Sequence, residues 1–414
     1  MLNQMKTIFL KFQFYLIKLF QLKGQKKPIN DLLIEHEKAF KAGDHFELFD
    51  PKIGLKKKPR AMAIAYYLPQ FHQMKVNDLN WGEGFTEWTN LARSGPRFEG
   101  HIQPKVPRDL GFYNLLDSTT QFKQAQIAKN AGLHGFCYYY YWLDNKPVMD
   151  SPLEKMLADK SIDFPFCLMW CNENWTRTWD GKASSILLEQ KYDNLGLISM
   201  VDHLAKFMLD ERYIRISGKP LLFIYRFELI ENNTSLAKMI RELFAERHNL
   251  NILFFMSEVE GGNINPIEYG LDGGAEFLPG KFKRKLTTIN DRLKLYDKSF
   301  KSNVYSYDDL VNESLNLDDV DYLLIRGIMP AWDNTPRRPG NGQIFHGSTP
   351  EKFYNWADKI IDKSIENPID KTPVVLINAW NEWAEGAVLE PDTHYGGAYL
   401  NALSRALYDA RKEY

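Results

Sequence analysis

The chain has 414 residues, of which 44% are hydrophobic and 14% aromatic, enough apolar material for a large core. Its formal net charge of −1 excludes a global field that would recruit nucleic acid, so no nucleic-acid partner is expected. The three cysteines, Cys137, Cys167 and Cys171, lie inside apolar runs and provide no disulfide framework, which favours a reducing, cytoplasmic compartment. Buried thiols are favoured over metal ligands at these positions.

The first 27 residues contain six lysines and no acid. Lysines interrupt their apolar run, so it predicts no membrane span, and it lacks the small-residue cleavage site of a signal peptide. Gln4, Lys11, Lys18 and Gln25 recur every seven residues and would form one polar stripe on a helix. We interpret residues 1–28 as a basic amphipathic helix. It either makes peripheral contact with the inner face of the cell membrane or packs on the protein's own surface.

After a lead-in segment at 29–59, eight short β-rich runs alternate with helical stretches such as residues 119–132 and 235–249. This alternation predicts a parallel sheet covered on both faces, and eight strands predict one α/β domain over 60–414, a closed (β/α)8 TIM barrel. A doubly wound open sheet is the alternative, but no strand is followed by G-x-G-x-x-G. The predicted strands are 61–70, 134–142, 164–171, 219–226, 251–258, 271–279, 322–330 and 373–380.

In such a barrel the active site lies where the strands end, and nine of the ten tryptophans follow or close these runs. Aromatic faces stack on sugar rings, while carboxylates and amides bind hydroxyl groups. Because no lysine cluster accompanies them, the pattern favours an uncharged, polyhydroxylated ligand, an oligosaccharide or polysaccharide. The candidate substrate-binding residues are Tyr66, His72, Glu83, Glu87, Trp88, Trp142, Asn172, Glu173, Trp175, Arg177, Trp179, Asp180, Tyr225, Trp332, Asn381 and Trp383.

Glu382 and Glu385 follow the last predicted strand and are three residues apart. In an extended strand their side chains would point to opposite faces, whereas in a helical turn they share one side, with Cβ atoms ~5–6 Å apart. Glycosidic cleavage commonly uses two carboxyls, ~5–5.5 Å apart for retention or ~6.5–9.5 Å for inversion. If the chain turns directly after the strand, this pair is the catalytic candidate.

Other polar positions carry weaker signals. Glu173 is an alternative acid that would act together with Glu382, or a loop brace. The P-R-R-P-G segment at 336–340 is interpreted as a surface turn rather than an anion-binding loop for Arg337 and Arg338. No His/Cys/Asp group has metal-ligand spacing, so neither a metal nor another cofactor is expected.

Five motifs in chain order resemble those of WbsX-type proteins over roughly residues 60–400. This family is related to glycoside hydrolase family 99 and is often encoded in bacterial surface-polysaccharide clusters. The motifs are AIAYYLPQFH, WGEGFTEW, GFCYYYYW, WCNENWTRTWDG and INAWNEWAEG. The resemblance implies a (β/α)8 barrel acting on glycosidic bonds.

Characterised relatives cleave α-mannan internally with two glutamates three apart after the last strand, a pattern that falls on Glu382 and Glu385. By this resemblance, Glu382 is the base that deprotonates the sugar 2-hydroxyl, which attacks C1 to give a 1,2-anhydro sugar. Glu385 is the acid for the leaving oxygen and then the base for the incoming nucleophile. The route retains configuration without an enzyme-linked sugar.

Three functions follow from these patterns. The first is a retaining glycoside hydrolase or transglycosylase, and the second is a glycosyltransferase in O-antigen (lipopolysaccharide) or capsular polysaccharide biosynthesis. The third is a barrel that binds glycans without catalysis. The sequence leaves the sugar, the linkage and the oligomeric state open.

Overall fold

The computed structural model describes residues 26–55, 57–177, 182–231, 233–260, 265–317 and 320–410. Eight strands in this part of the chain form a parallel barrel; seven lie within a predicted run, and β2 extends one residue beyond its run. They are β1 (Met62–Tyr67), β2 (Gly135–Leu143), β3 (Phe166–Trp170), β4 (Lys219–Ile224), β5 (Leu253–Glu258), β6 (Gly273–Glu276), β7 (Leu323–Ile328) and β8 (Val374–Ile377).

The barrel is closed because β1 pairs with a strand on each side. Its Met62–Ala65 segment runs parallel to Val374–Ile377 of β8, and Ile64 to Tyr67 pair with the start of β2. The remaining neighbours follow chain order from β2 to β8. Every pairing between barrel strands is parallel. The predicted (β/α)8 barrel is therefore confirmed, and the open doubly wound sheet is excluded.

Helices follow most of the strands and cover the outside of the barrel. Short polar side chains start several of them: Asp117 accepts a hydrogen bond from the Thr119 amide at the start of α4, and Asp193 accepts one from Gly196 at the start of α6. The helices are α1 (Lys26–Lys38), α2 (Lys75–Trp81), α3 (Glu87–Leu91), α4 (Ser118–Asn130), α5 (Ser151–Ala158), α6 (Asn194–Met208), α7 (Asn233–His248), α8 (Gly280–Lys283), α9 (Tyr307–Leu315), α10 (Pro350–Glu366) and α11 (Ala398–Tyr408).

Short additional strands and 3₁₀ turns lie in the segments that connect these elements. The added strands are Lys146–Val148, Trp175–Arg177, Lys182–Leu188, Arg215–Ile216, Asn303–Ser306, Trp332–Asp333, Gln343–His346, Asn381–Glu382 and Ala387–Val388. The 3₁₀ turns are Phe227–Leu229, Pro266–Tyr269, Asn290–Arg292 and Trp383–Glu385. Most of these elements lie after a barrel strand, so they build the rim where a barrel places its site.

The barrel strands are almost entirely buried, which explains their continuous apolar sequences. Cys137, Cys167 and Cys171 lie in this core as free, buried thiols.

The lead-in segment packs on the last helix, where the Asn401 side chain hydrogen-bonds the backbone of Leu48 and Asp50. The predicted basic helix at 1–28 falls largely on residues outside the described part of the chain. Among the described helices, none has both the length and the apolar character to cross a membrane.

Candidate active site

One arginine binds three carboxylates at the barrel mouth. Arg337 donates through Nε to Glu87 Oε2 at 3.0 Å and through Nη2 to Glu382 Oε2 at 2.7 Å. Its Nη1 lies 2.7 Å from Glu385 Oε1. We call these four residues the Arg337 cluster. It joins the loops that follow β1, β7 and β8, and so fixes the Glu382–Glu385 pair from the opposite wall.

Arg337 corrects an expectation, since its segment was interpreted as a surface turn. The Arg337 side chain is only 12% exposed. Asp333 anchors the segment below it: His101 and Gln103 donate to Asp333 Oδ2, and Thr335 donates to Oδ1 through its amide and its hydroxyl. Burial opposes ionisation of Asp333, but His101 and these hydrogen bonds outweigh it and lower its pKa. The loop is therefore a braced support for a buried cation.

The Glu382–Glu385 pair faces one side because the chain turns directly after the last strand. A 3₁₀ turn covers Trp383–Glu385, and Gly386 closes it with a φ of 65°, a left-handed conformation that favours glycine. Both glutamates line the same cleft. Glu382 is almost fully buried, whereas the Glu385 side chain is 19% exposed.

The electrostatics of the cluster favour retention of a proton. When all groups are ionised, three carboxylates and one guanidinium sum to −2. Burial raises the pKa of Glu382 to about 8; Arg337 opposes the rise, while Glu385 and Glu87 add to it. Burial also raises the pKa of Glu87. Burial opposes the charge on Arg337, but the three glutamates outweigh it and raise its pKa. Burial and mutual repulsion therefore favour the neutral form of Glu382 in this cluster.

The cleft beside this cluster has a volume of about 880 Å³. Its aromatic wall comes from several strand ends, and Trp175 stacks on Tyr141 with ring centroids 5.9 Å apart. Tyr225 and Phe277 meet edge to face at 5.0 Å. The aromatic residues lining the cleft are Trp81, Tyr139, Tyr141, Trp175, Tyr192, Tyr225, Phe277 and Trp332. Such surfaces fit the apolar faces of sugar rings.

Two predicted residues of the last motif support the turn from behind. Asn381 accepts a hydrogen bond from the Leu68 amide at 2.8 Å and donates to the Leu68 carbonyl at 3.0 Å. The Trp383 indole donates to Glu390 at 2.8 Å and packs near Trp88. These contacts point into the protein, so Asn381, Trp383 and Trp88 hold the turn rather than line the cleft.

A second arginine-centred group lies on another part of the rim, after β3, β4 and β5. Arg226 pairs with Glu173 at 3.4 Å and Glu260 at 3.6 Å, and it hydrogen-bonds Glu228. We call these residues the Arg226 cluster. Asn172 hydrogen-bonds both the amide and the carbonyl of Arg226, so it is a brace like Asn381. Glu173 lines the cleft but is 46% exposed, and burial raises its pKa.

Other predicted residues lie away from the cleft. Tyr66 is buried against Tyr139 and Phe277, and His72 is buried with Nδ1 2.8 Å from the Pro69 carbonyl. Burial lowers the His72 pKa. Trp142 packs on Tyr140 and His203 under α6, and Glu83 is exposed on a loop.

Three predicted residues have undescribed side chains. Arg177 ends the Trp175–Arg177 strand, but its side chain is not described, and Trp179 and Asp180 lie outside the described residues.

Within the described residues, one group has the composition of a metal site. Oxygen and nitrogen atoms of Asp150, Glu154 and His203 lie within 4.8 Å of one another. Lys206 already forms an ion pair with Glu154, and the Tyr140 hydroxyl lies 2.9 Å from the other His203 nitrogen. The group is a satisfied polar patch beneath α6, away from the cleft.

Sequence reasoning missed two residues that the structure places beside the turn. Arg337 had a partial signal, as a basic residue in a loop after a barrel strand, but the Pro and Gly residues around it indicated a surface turn. Glu390 had none. It is fully buried, burial raises its pKa to about 7, and it accepts hydrogen bonds from Gln124, Tyr113 and Trp383.

Comparison with known proteins gives a family match and relatives of greater length. The family model described as "Glycosyltransferase WbsX" matches residues 63–403. Two proteins of Xanthomonas campestris pv. campestris described as "Uncharacterized protein WxcX" are 38% and 37% identical. The alignments cover 84% and 86% of this chain, which spans about half the length of these relatives.

Similar solved structures support the fold. The GH99 endo-alpha-mannosidase of Bacteroides thetaiotaomicron aligns with a TM-score of 0.53 at 15% identity, over 84% of this chain and 96% of that one. A "Glycoside hydrolase-like protein" aligns with the same TM-score at 14% identity, over 90% and 98%. At this identity the likeness shows a shared barrel architecture.

Proposed function

This chain belongs to the WbsX family, as its five motifs led us to expect, and from that premise we propose that it breaks or transfers glycosidic bonds of a surface polysaccharide. Glu382 and Glu385 are the proposed acid–base pair. The observation that carries the proposal is the Arg337 cluster, because it sets two carboxyls and a retained proton in an aromatic cleft.

Within the pair, we assign the acid role to Glu385 and the base role to Glu382. Two carboxyls held on one guanidinium are electrostatically coupled, and this assignment requires the proton to lie on Glu385 when the glycan is bound. Glu385 is the more exposed of the two and can reach a leaving oxygen in the cleft. Glu382 is held by Arg337 at 2.7 Å and can accept a hydroxyl proton from the bound sugar, the role that the family resemblance implies.

The proposed reaction proceeds in two balanced steps. In the first, Glu382 takes the proton of the sugar 2-hydroxyl as its oxygen bonds to C1, and Glu385 gives its proton to the departing glycosidic oxygen. In the second, Glu385 takes a proton from water or an acceptor hydroxyl, whose oxygen bonds to C1 and opens the anhydro ring. Glu382 returns its proton to the 2-oxygen, so configuration is retained and both carboxyls are regenerated.

The experiment is product analysis on the producing bacterium's own surface polysaccharide. Hydrolysis creates one new reducing end per cleavage, while transfer to an added acceptor creates a longer glycan without a net gain of reducing ends. Mass spectrometry of the products separates these outcomes. If prolonged incubation gives binding but neither product, the third function, a non-catalytic glycan-binding barrel, is supported instead.

A glycosyltransferase that uses a nucleotide-sugar donor is the second candidate, because the family description names a glycosyltransferase. It requires a site for a donor diphosphate. Calorimetry with UDP- and GDP-sugars tests it directly: donor binding in the micromolar range supports the transferase. Donor-independent cleavage of a glycan supports the retaining hydrolase or transglycosylase.

A further inference from the structure

The carboxylates that line the cleft have partners of opposite charge, whereas some of its cations do not. Among its described lining residues are four carboxylates and five cations. All four carboxylates have a cation partner: Glu382 and Glu385 bind Arg337, and Glu173 pairs with Arg226. The fourth, Glu260, lies 2.8 Å from Arg284. No carboxylate of the described cleft is left without a counter-charge.

Two of the cations have no such partner in the part of the chain that the structure describes. They are Lys283, on α8 after β6, and Arg338, which follows Arg337 in the loop after β7. Neither the Lys283 ammonium nor the Arg338 guanidinium forms an ion pair or a side-chain hydrogen bond there. Arg338 also contributes to the field at Glu173 across the cleft. Both residues line the cleft that a ligand would fill.

A cation that lines a cleft without an ion-pair partner can bind an anionic group of a ligand. A guanidinium or ammonium at a cleft wall binds a carboxylate or phosphate ester through charge-assisted hydrogen bonds. The sequence had favoured an uncharged ligand because no lysine cluster follows the strands. That reasoning assigned Arg338 to a surface turn and did not consider Lys283. The two residues come from separate loops and line one cleft only in the folded barrel.

We propose that the glycan accepted by this cleft carries an anionic group, a uronate carboxylate or a phosphate ester, and that Lys283 and Arg338 bind it. This inference rests on the proposed function for the identity of the ligand as a glycan. The reacting bond lies at Glu382 and Glu385, so the anionic group belongs to a sugar that occupies the cleft beside that bond. Lys283 and Arg338 are specificity-determining residues and take no part in proton transfer.

The test uses the full chain with Glu385→Gln, so that binding is measured without turnover. Two matched probe pairs are titrated by calorimetry: a glucuronate-containing oligosaccharide with its carboxyl-reduced form, and a phosphorylated oligosaccharide with its phosphatase-treated form. The expected result is that one anionic member binds at least tenfold more tightly than its neutral partner, about the value of one charge-assisted contact. Whichever pair shows the difference identifies the group.

A second set of variants ties the difference to the two cations. Lys283→Gln with Arg338→Gln should remove the preference and weaken its salt dependence, since fewer charges interact with the ligand. The matched control is Lys123→Gln with Arg292→Gln, two exposed residues outside the cleft, and it should leave the preference unchanged.

Three results would overturn the proposal. Equal affinity for the charged and neutral members of both pairs is one. A preference that survives in the Lys283/Arg338 double variant is another. The third is that these two cations bind a nucleotide diphosphate while anionic glycans do not bind. Because the titrations need no turnover, a glycan that binds to Glu385→Gln but is not cleaved or transferred by the wild-type chain counts against the proposed function and leaves this inference standing.

Discussion

The Arg337 and Arg226 clusters share one design at two places on the barrel rim. In each, one arginine contacts three glutamates, and an asparagine preceding one of those glutamates hydrogen-bonds the backbone next to an adjacent strand. They differ in burial. Glu382 is 3% exposed and Glu87 is fully buried, whereas Glu173 and Glu260 are about half exposed.

This difference teaches that burial, rather than local sequence, distinguishes the proposed acid–base carboxyls from the carboxyls of the Arg226 cluster. In the Arg226 cluster water reaches Glu173 and Glu260, so their ion pairs with Arg226 are screened and contribute little. The Arg337 cluster excludes water, and repulsion among its glutamates favours retention of a proton. The dipeptide Asn-Glu follows both β3 and β8. Only the glutamate after β8, Glu382, is buried against its arginine, whereas Glu173 is 46% exposed.

The largest expected effect is a fall in turnover when a glutamate of the Arg337 cluster is neutralised. Replacing Glu382 with Gln removes the proposed base and should lower kcat by ~10²–10⁴ with the fold intact. Steady-state kinetics on the surface polysaccharide, with circular dichroism as the folding control, makes the measurement. Turnover within threefold of wild type would remove Glu382 from the mechanism.

Removal of each arginine compares the clusters by stability. Arg337→Met leaves three buried carboxylates without their counter-charge and should reduce the free energy of unfolding by ~3–5 kcal/mol. Arg226→Met is the matched control, and since two of its three glutamate partners are about half exposed its cost should be smaller, about 1 kcal/mol. Urea unfolding measures both variants. Equal losses would show that the two clusters are energetically alike.

The pH dependence follows from the raised pKa of Glu382. Because the pair must keep one proton, kcat/KM should fall about tenfold per pH unit above pH 8. The folded state also holds a proton that the unfolded chain releases, so stability from this group should decline as pH rises from 4.5 to about 8. Thermal unfolding of Glu382→Gln should lack that decline. A wild-type midpoint that rises relative to the variant over this range would contradict the assignment.

The smallest expected effect concerns the asparagine that precedes a glutamate in each cluster. Asn381→Ala and Asn172→Ala each remove two hydrogen bonds to backbone groups and should cost ~1–3 kcal/mol. The loss should be larger for Asn381, because Leu68 is buried. Chemical denaturation of the two variants makes the comparison, and a negligible loss for both would show that the asparagines are not braces.

Much of this architecture was predictable from the sequence. Continuous apolar runs such as FPFCLMWC can only be buried strands of a covered parallel sheet, and eight of them predict closure. The sequence also predicted that the Glu382 and Glu385 side chains share one side, provided that the chain turns directly after the last strand. The 3₁₀ turn at Trp383–Glu385 meets that condition.

The remainder depended on contacts between distant segments. Arg337 lies 250 residues from Glu87 and 45 from Glu382, so no local pattern could indicate that a Pro- and Gly-bounded loop buries its arginine between them. The inward orientation of Trp383 was hidden for a similar reason, because its partner Glu390 is buried by packing against Tyr113 and Gln124. Residue type at a strand end indicates chemistry, while side-chain direction is set by tertiary packing.

The most direct test of the account compares Glu385→Gln with Glu173→Gln on the same surface polysaccharide under the same conditions. Both variants replace a cleft glutamate by its neutral isostere, one in each cluster. The account predicts that Glu385→Gln lowers kcat/KM by ~10²–10⁴, while Glu173→Gln lowers it less than tenfold. Equal losses, or a larger loss for Glu173→Gln, would contradict the assignment of the reaction to the buried Arg337 cluster.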